Sequence, residues 1–114
     1  MITVKDARKT EVRENVRGGT GALKFGHLFD QAELLSKCNV CAEIEMPPSS
    51  SIGAHPHGPD AELYFILEGE ITVTDDGVKK VLKAGDAVFT GDGKTHSAVN
   101  ESDRPAKMLA VVVK

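Results

Sequence analysis

Along most of its length the chain alternates apolar and polar residues with a period of two, the spacing of strands that bury one face. Leu23, Phe25, His27 and Phe29 share one parity. Cys38, Val40, Ala42, Ile44 and Met46 form a second run, with Asn39, Cys41, Glu43 and Glu45 on the opposite face. Between them, residues 30–35 are expected to make a brief helical turn. Pro47-Pro48 ends the second run, because proline lacks the amide proton that a central ladder requires. Ser51 and Ile52 then lead the chain back into the sheet. Residues 71–74 and 78–82 flank Asp75-Asp76-Gly77, where Asp-Gly favours the tight turn whose twist matches a hairpin. Short strands at 87–90, 95–99 and 106–113 complete the set, separated by glycine-rich or polar turns. Many short strands at regular spacing predict an all-β sandwich or jelly-roll barrel.

Two of these strands are apolar on both faces. Leu63, Phe65 and Leu67 lie opposite Tyr64 and Ile66; Leu109, Val111 and Val113 lie opposite Met108, Ala110 and Val112. With little helix to act as a lid, a second copy of the chain is the expected cover, so the pattern predicts a homodimer. Residues 1–17 are charged and too sparsely apolar to build a core of their own. They are expected to form an arm that packs on the barrel or on a partner subunit, with residues 18–114 as the barrel domain.

A chain of 114 residues leaves room for one domain. Its hydrophobic fraction of 40%, with only 4% aromatic residues and no tryptophan, makes the expected core aliphatic. A net charge of −3 lacks the positive field of a nucleic-acid binder. No apolar run approaches the length of a membrane span and no signal-peptide pattern opens the chain, so a cytoplasmic protein without membrane contact is expected. Cys38 and Cys41 have redox or zinc spacing. On a regular strand, however, residues three apart face opposite ways, which predicts one buried and one exposed thiol. Gly18-Gly19-Thr20-Gly21 follows no apolar strand and lacks a Gly-Lys-Ser/Thr ending, so it reads as a flexible turn and not a phosphate loop.

The candidate chemistry lies in His55, His57, Glu62 and His96. Residues two apart on a strand share a face about 6.6 Å apart, so His55 and His57 can both point inward. Gly58-Pro59-Asp60 lets the chain turn before Glu62, which can present its carboxylate from a neighbouring strand, and a third element supplies His96. Imidazole loses its proton near neutral pH, and a carboxylate adds charge and a hard oxygen. Three nitrogens and one oxygen on a six-coordinate ion would leave two adjacent positions for a chelating ligand. Mixed nitrogen and oxygen donors suit a divalent transition metal, manganese or iron in the cell, with nickel, cobalt or zinc acquired readily.

These residues also carry a family resemblance. Gly53, His55, His57, Glu62 and Gly69 resemble the first cupin motif in residue type and interval. Gly85, Gly93, His96 and Asn100 resemble the second, with Gly91 where the family usually has proline. The resemblance implies a single-domain jelly-roll cupin barrel with a three-histidine, one-glutamate metal site, and it too points to a homodimer. It also implies decarboxylase, dioxygenase or isomerase chemistry should the protein be an enzyme.

Tyr64 and Ile66 share the face of Glu62, and Ala98 that of His96, so all three are expected to line the pocket. His27 is a further possible wall residue. Asn100 is expected to fix the end of the second motif, and the motif glycines to serve turns. The expected ligand is a small oxygen-bearing organic molecule, a carboxylate or sugar derivative, bound or transformed at the metal. The alternative is a non-catalytic metal-dependent binding or sensor protein. A DNA-binding regulator would need a helical module for which this length has no room.

Overall fold

Ten strands account for nearly all the regular structure of the computed structural model, which describes residues 1–114. They are β1 (Lys9–Glu14), β2 (Ala22–His27), β3 (Cys38–Met46), β4 (Ser51–His57), β5 (Ala61–Glu68), β6 (Glu70–Asp75), β7 (Val78–Lys83), β8 (Ala87–Thr90), β9 (Lys94–Val99) and β10 (Ala106–Val113). All pairings are antiparallel. One sheet has the order β1-β2-β3-β10-β5-β8, and the other β4-β9-β6-β7. From β3 onward most connections cross between the sheets, so the two inner faces close on one another as a jelly roll. The expected all-β barrel is the observed fold.

Period-two burial puts Ala42, Ile44, Met46, Tyr64, Ile66, Met108 and Ala110 inside, where they join Leu23, Phe25, Ile52, Ile71, Val73 and Ala98 in one largely aliphatic core. β3 stops at Met46, immediately before Pro47-Pro48. Asp76 and Gly77 both take positive φ, 49° and 82°, which is the two-residue hairpin turn that the Asp-Gly pair predicts. Residues 31–36 form consecutive hydrogen-bonded turns, among them the single helical turn closed by Leu34 N to Asp30 O at 3.0 Å, and Leu35 and Ser36 adopt positive φ.

The N-terminal segment contributes β1, an exposed edge strand paired to β2 of the same chain. Beyond it, a short 3-10 turn at Val16–Gly18 lies against β4. This turn is latched in place. Thr20 N donates to Ser51 Oγ at 2.9 Å, Ser51 N donates to Thr20 O at 2.8 Å, and Thr20 Oγ1 donates to Ser49 O at 3.0 Å. Gly53 makes the close approach possible, since a Cβ there would overlap the carbonyl of Arg17. The glycine segment expected to be a flexible turn is therefore a tied one.

Irregularities in three ladders re-aim side chains. In β4, Ile52 faces Ala98 and His55 faces His96, so Gly53 and Ala54 together oppose one residue of β9. In β5 the extra residue is Leu67. In β3, Val40 faces Val112 and Cys38 faces Val113, leaving Asn39 as the extra residue. That bulge corrects the expectation for the cysteines. Cys38 and Cys41 lie on the same, outer face, and both are half-buried.

Candidate metal centre

His55 and His57 alternate with exposed Ala54 and Pro56, so β4 turns both rings into the barrel. His96 is the direct cross-strand partner of His55 on β9. Glu62 arrives from β5, which belongs to the opposite sheet and is not hydrogen-bonded to β4. The expectation of a neighbouring strand is thus corrected: the carboxylate reaches the histidines across the barrel. All four residues are buried, and their donor atoms lie within 4.8 Å of one another.

The rings are oriented from behind. His55 Nδ1 donates to Gly53 O at 2.7 Å and His57 Nδ1 donates to Asp60 Oδ1 at 2.8 Å, so in each neutral ring Nε2 is the unprotonated atom, and it faces the cluster. Nε2 of His96 stands 3.1 Å from Nε2 of His55, Nε2 of His57 and Oε1 of Glu62. Nδ1 of His96 is buried without a hydrogen-bond partner. Bonds of about 2.1 Å at right angles around a cation separate their donors by about 3 Å. The observed spacing fits that arrangement. The donor set therefore suits one divalent ion.

Burial alone would raise the carboxyl of Glu62, but hydrogen bonding and positive charge from the histidines outweigh it and hold the group at about 2. Nε2 of His57 and of His96 lies 3.1 Å from Glu62 Oε1, and Nε2 of His55 lies at 3.9 Å. Tyr64 stacks on the His96 ring at 9° and 4.7 Å, with its hydroxyl 3.3 Å from Nε2. Burial pushes this phenol well up, the charge of Glu62 adds to the effect, and Arg17 opposes it. The hydroxyl therefore stays protonated across the physiological range.

A cavity of about 190 Å³ opens above His55, His57 and Glu62. Tyr64 lines it. Ile66 and Ala98 do not; they are fully packed in the core beneath. His27 also lies elsewhere, with its Nε2 2.7 Å from Glu11 Oε1 between β1 and β2. Sequence periodicity missed Arg13, Arg17, Asn39, Val40 and Asp60, which do line the cavity. Arg13 packs its guanidinium over Phe25 at 4.5 Å and binds Glu11 at 2.6 Å. Arg17 has no ion-pair partner. Asn100 lies outside the cavity as a fully buried clasp, donating to Met46 O at 2.9 Å and Arg104 O at 2.7 Å.

The cupin-domain family model matches residues 42–112, a span that contains all four donors. This chain belongs to the cupin family. The cupin is 37% identical to an oxalate-binding protein of Thermotoga maritima over 113 residues, 98% of this chain and 93% of that protein. It superposes with a TM-score of 0.94 on the crystal structure of a predicted oxalate decarboxylase from Thermotoga maritima, at 34% identity over 99% of this chain and 98% of the other. The polyketide cyclase RemF from Streptomyces resistomycificus shares the fold, with a TM-score of 0.78 at 22% identity, covering 99% of this chain and 78% of that one.

Proposed function

We propose that this cupin binds a small carboxylate, of which oxalate is the type, at a divalent metal held by His55, His57, Glu62 and His96. The observation that carries this reading is the meeting of two features along one small cavity: a donor set able to hold a cation, and Arg13 and Arg17 among the residues of its wall. A planar carboxylate matches a guanidinium in charge and in hydrogen-bond geometry. The likeness to an oxalate-binding protein over nearly the whole chain supports the same ligand class.

When bound, the metal would act as a Lewis acid that withdraws charge from a carboxylate or carbonyl oxygen. The chain's own groups do the rest. Asp60 and the Gly53 carbonyl orient His57 and His55, while Val16, Phe25, Ile44 and Ile52 limit water around the ligand. Manganese or iron suits the donor set in the cell. A catalytic reading rests on Tyr64, the buried protonated hydroxyl next to the donors, which can hydrogen-bond an oxygen of the ligand. Its absence of turnover would leave a binding protein.

The test is metal analysis of the native protein followed by calorimetric titration of oxalate, acetate and a neutral hexose into the manganese-loaded form. Oxalate binding that disappears on metal removal is the expected result. Equal binding of the hexose, or oxalate binding indifferent to metal, would refute the carboxylate reading.

The reading extends to a homodimer. Leu63, Phe65, Leu67 and Phe89 form a contiguous apolar surface on the outside of β5 and β8, with Phe89 61% exposed. A second copy of the same face is its proposed cover.

A further inference from the structure

The Cys38-Asn39-Val40-Cys41 segment is left unused by the metal chemistry, yet it forms part of the cavity wall. On a regular strand the two thiols would face opposite sides of the sheet. The bulge at Asn39 cancels that separation, because Cys38 opposes Val113 and Cys41 opposes Val111. Val111 and Val113 are two residues apart on one face, about 6.6 Å. The cysteine backbones opposite them are thus separated by a similar distance, at the upper end of what a disulfide spans. Neither thiol is sealed from solvent. The two bulged residues between them, Asn39 and Val40, line the cavity above the metal donors.

We propose that Cys38 and Cys41 are an oxidation-sensitive pair whose reversible disulfide draws the bulge together and reshapes the ligand cavity at Asn39 and Val40. The oxidant is a hydroperoxide. One thiolate attacks the outer peroxide oxygen, the O–O bond breaks, and a cysteine sulfenic acid and an alcohol result. The second thiol then attacks the sulfenic sulfur, the S–S bond forms and water leaves. Two thiols are oxidised and one peroxide is reduced. Burial raises the Cys41 thiol, with the charge of Cys38 adding to the effect, which suits Cys41 to the second, resolving step. Beyond the bulge β3 meets β10 only through Cys38 with Val113 and the closing Lys114 N to Lys37 O bond, and its other bonds, Lys37 N to Leu34 O and Gln31 Nε2 to Asn39 O, go to the exposed turns at 31–36, so this end can move with those turns.

The formation of the disulfide is independent of the carboxylate reading; its effect on ligand binding rests on that reading. The experiment treats the reduced, manganese-loaded chain with one equivalent of tert-butyl hydroperoxide. It follows peptide mass mapping and oxalate titration, and amide chemical shifts on the diamagnetic zinc-loaded chain treated in the same way, with Cys41→Ser alongside. Expected are an intramolecular Cys38–Cys41 link that dithiothreitol reverses, displaced amide signals for Asn39, Val40 and the facing Val112, and a several-fold change in oxalate affinity. Cys41→Ser should bind oxalate as the reduced protein does and show no change on oxidation. Sulfinic acid or intermolecular disulfides in place of the link would overturn the pairing, as would a link that leaves the Asn39 and Val40 signals unmoved. If the reduced protein fails to bind oxalate while the link and the shifts appear, the ligand assignment is lost and the thiol pair stands.

Discussion

His55 and His96 face each other directly across the β4–β9 ladder, and their Nε2 atoms are 3.1 Å apart. That spacing suits two donors placed around one cation. Replacing His96 with alanine removes the nitrogen in contact with all three other donors. Metal affinity should fall by more than a hundredfold while the circular dichroism of the barrel is retained. Asp60→Asn removes only the anchor behind His57, and there a loss of about 10- to 100-fold is expected. Titration with manganese or cobalt reads both.

Arg17 is the cation at the cavity without an ion-pair partner, so its charge is available to a ligand. Arg17→Ala should weaken oxalate binding by about ten- to a hundredfold, the equivalent of one charged hydrogen bond. Metal affinity should be unchanged, and lysine should restore only part of the loss because it lacks the planar fork. Equal affinity in the alanine variant would remove Arg17 from the ligand site.

Gly53 lets the turn at Val16–Gly18 lie against β4, and a methyl group there would overlap the Arg17 carbonyl. Gly53→Ala should destabilise the fold by about 1–3 kcal/mol, the usual cost of overpacking. It should also weaken oxalate binding, because the displaced segment carries Arg17. Urea denaturation and the same calorimetric titration measure the two effects.

The depressed carboxyl of Glu62 makes acid stability directional. A group lowered on folding stabilises the native state above its unfolded value of 4.5, and that contribution is lost as pH falls toward about 2. Metal-free wild type should therefore lose more stability between pH 4.5 and pH 2 than Glu62→Gln does, by an amount on the order of 3 kcal/mol. Denaturation midpoints across that window decide the matter. With metal present, affinity should weaken at a higher pH, where protons begin to compete for imidazole nitrogen.

Phe89 and Phe65 occupy the centre of the exposed apolar face. Phe89→Glu places a charge where the proposed second copy would pack. Light scattering should show the wild type as a dimer and the variant as a monomer. A monomeric wild type at micromolar concentration would dispose of the dimer.

Much of the barrel was legible in local pattern. Alternation at 42–46 and 62–66 assigned residues to the correct faces, because side-chain direction on a regular strand depends on parity alone, whereas at 108–113 both faces are apolar and only the packed structure shows that Met108, Ala110 and Val112 point inward. Asp76-Gly77 and Pro47-Pro48 marked real boundaries, since their backbone preferences act without help from distant residues. The same parity rule failed wherever one residue was inserted into a ladder. A bulge is a property of two strands in register, and nothing within Cys38-Asn39-Val40-Cys41 reveals that Asn39 has no partner on β10. Ile66 and Ala98 shared a face with donors yet lie too deep for the cavity. His27 had suitable parity and turned to Glu11 instead.

By itself the sequence determined the strands from β2 onward, the interior face of most of them, and a set of four donors at spacings that could meet; β1, within the segment read as an arm, it did not. Each of these depends on interactions among near neighbours along the chain. Tertiary structure decided that Glu62 reaches the histidines from the opposing sheet, that Arg13 and Arg17 of the N-terminal segment stand at the cavity, and that both cysteines share one surface. Those facts arise from closure of two sheets and from the registers that closure selects. They become defined only when residues far apart in the chain compete for the same interior volume and the same hydrogen-bond partners.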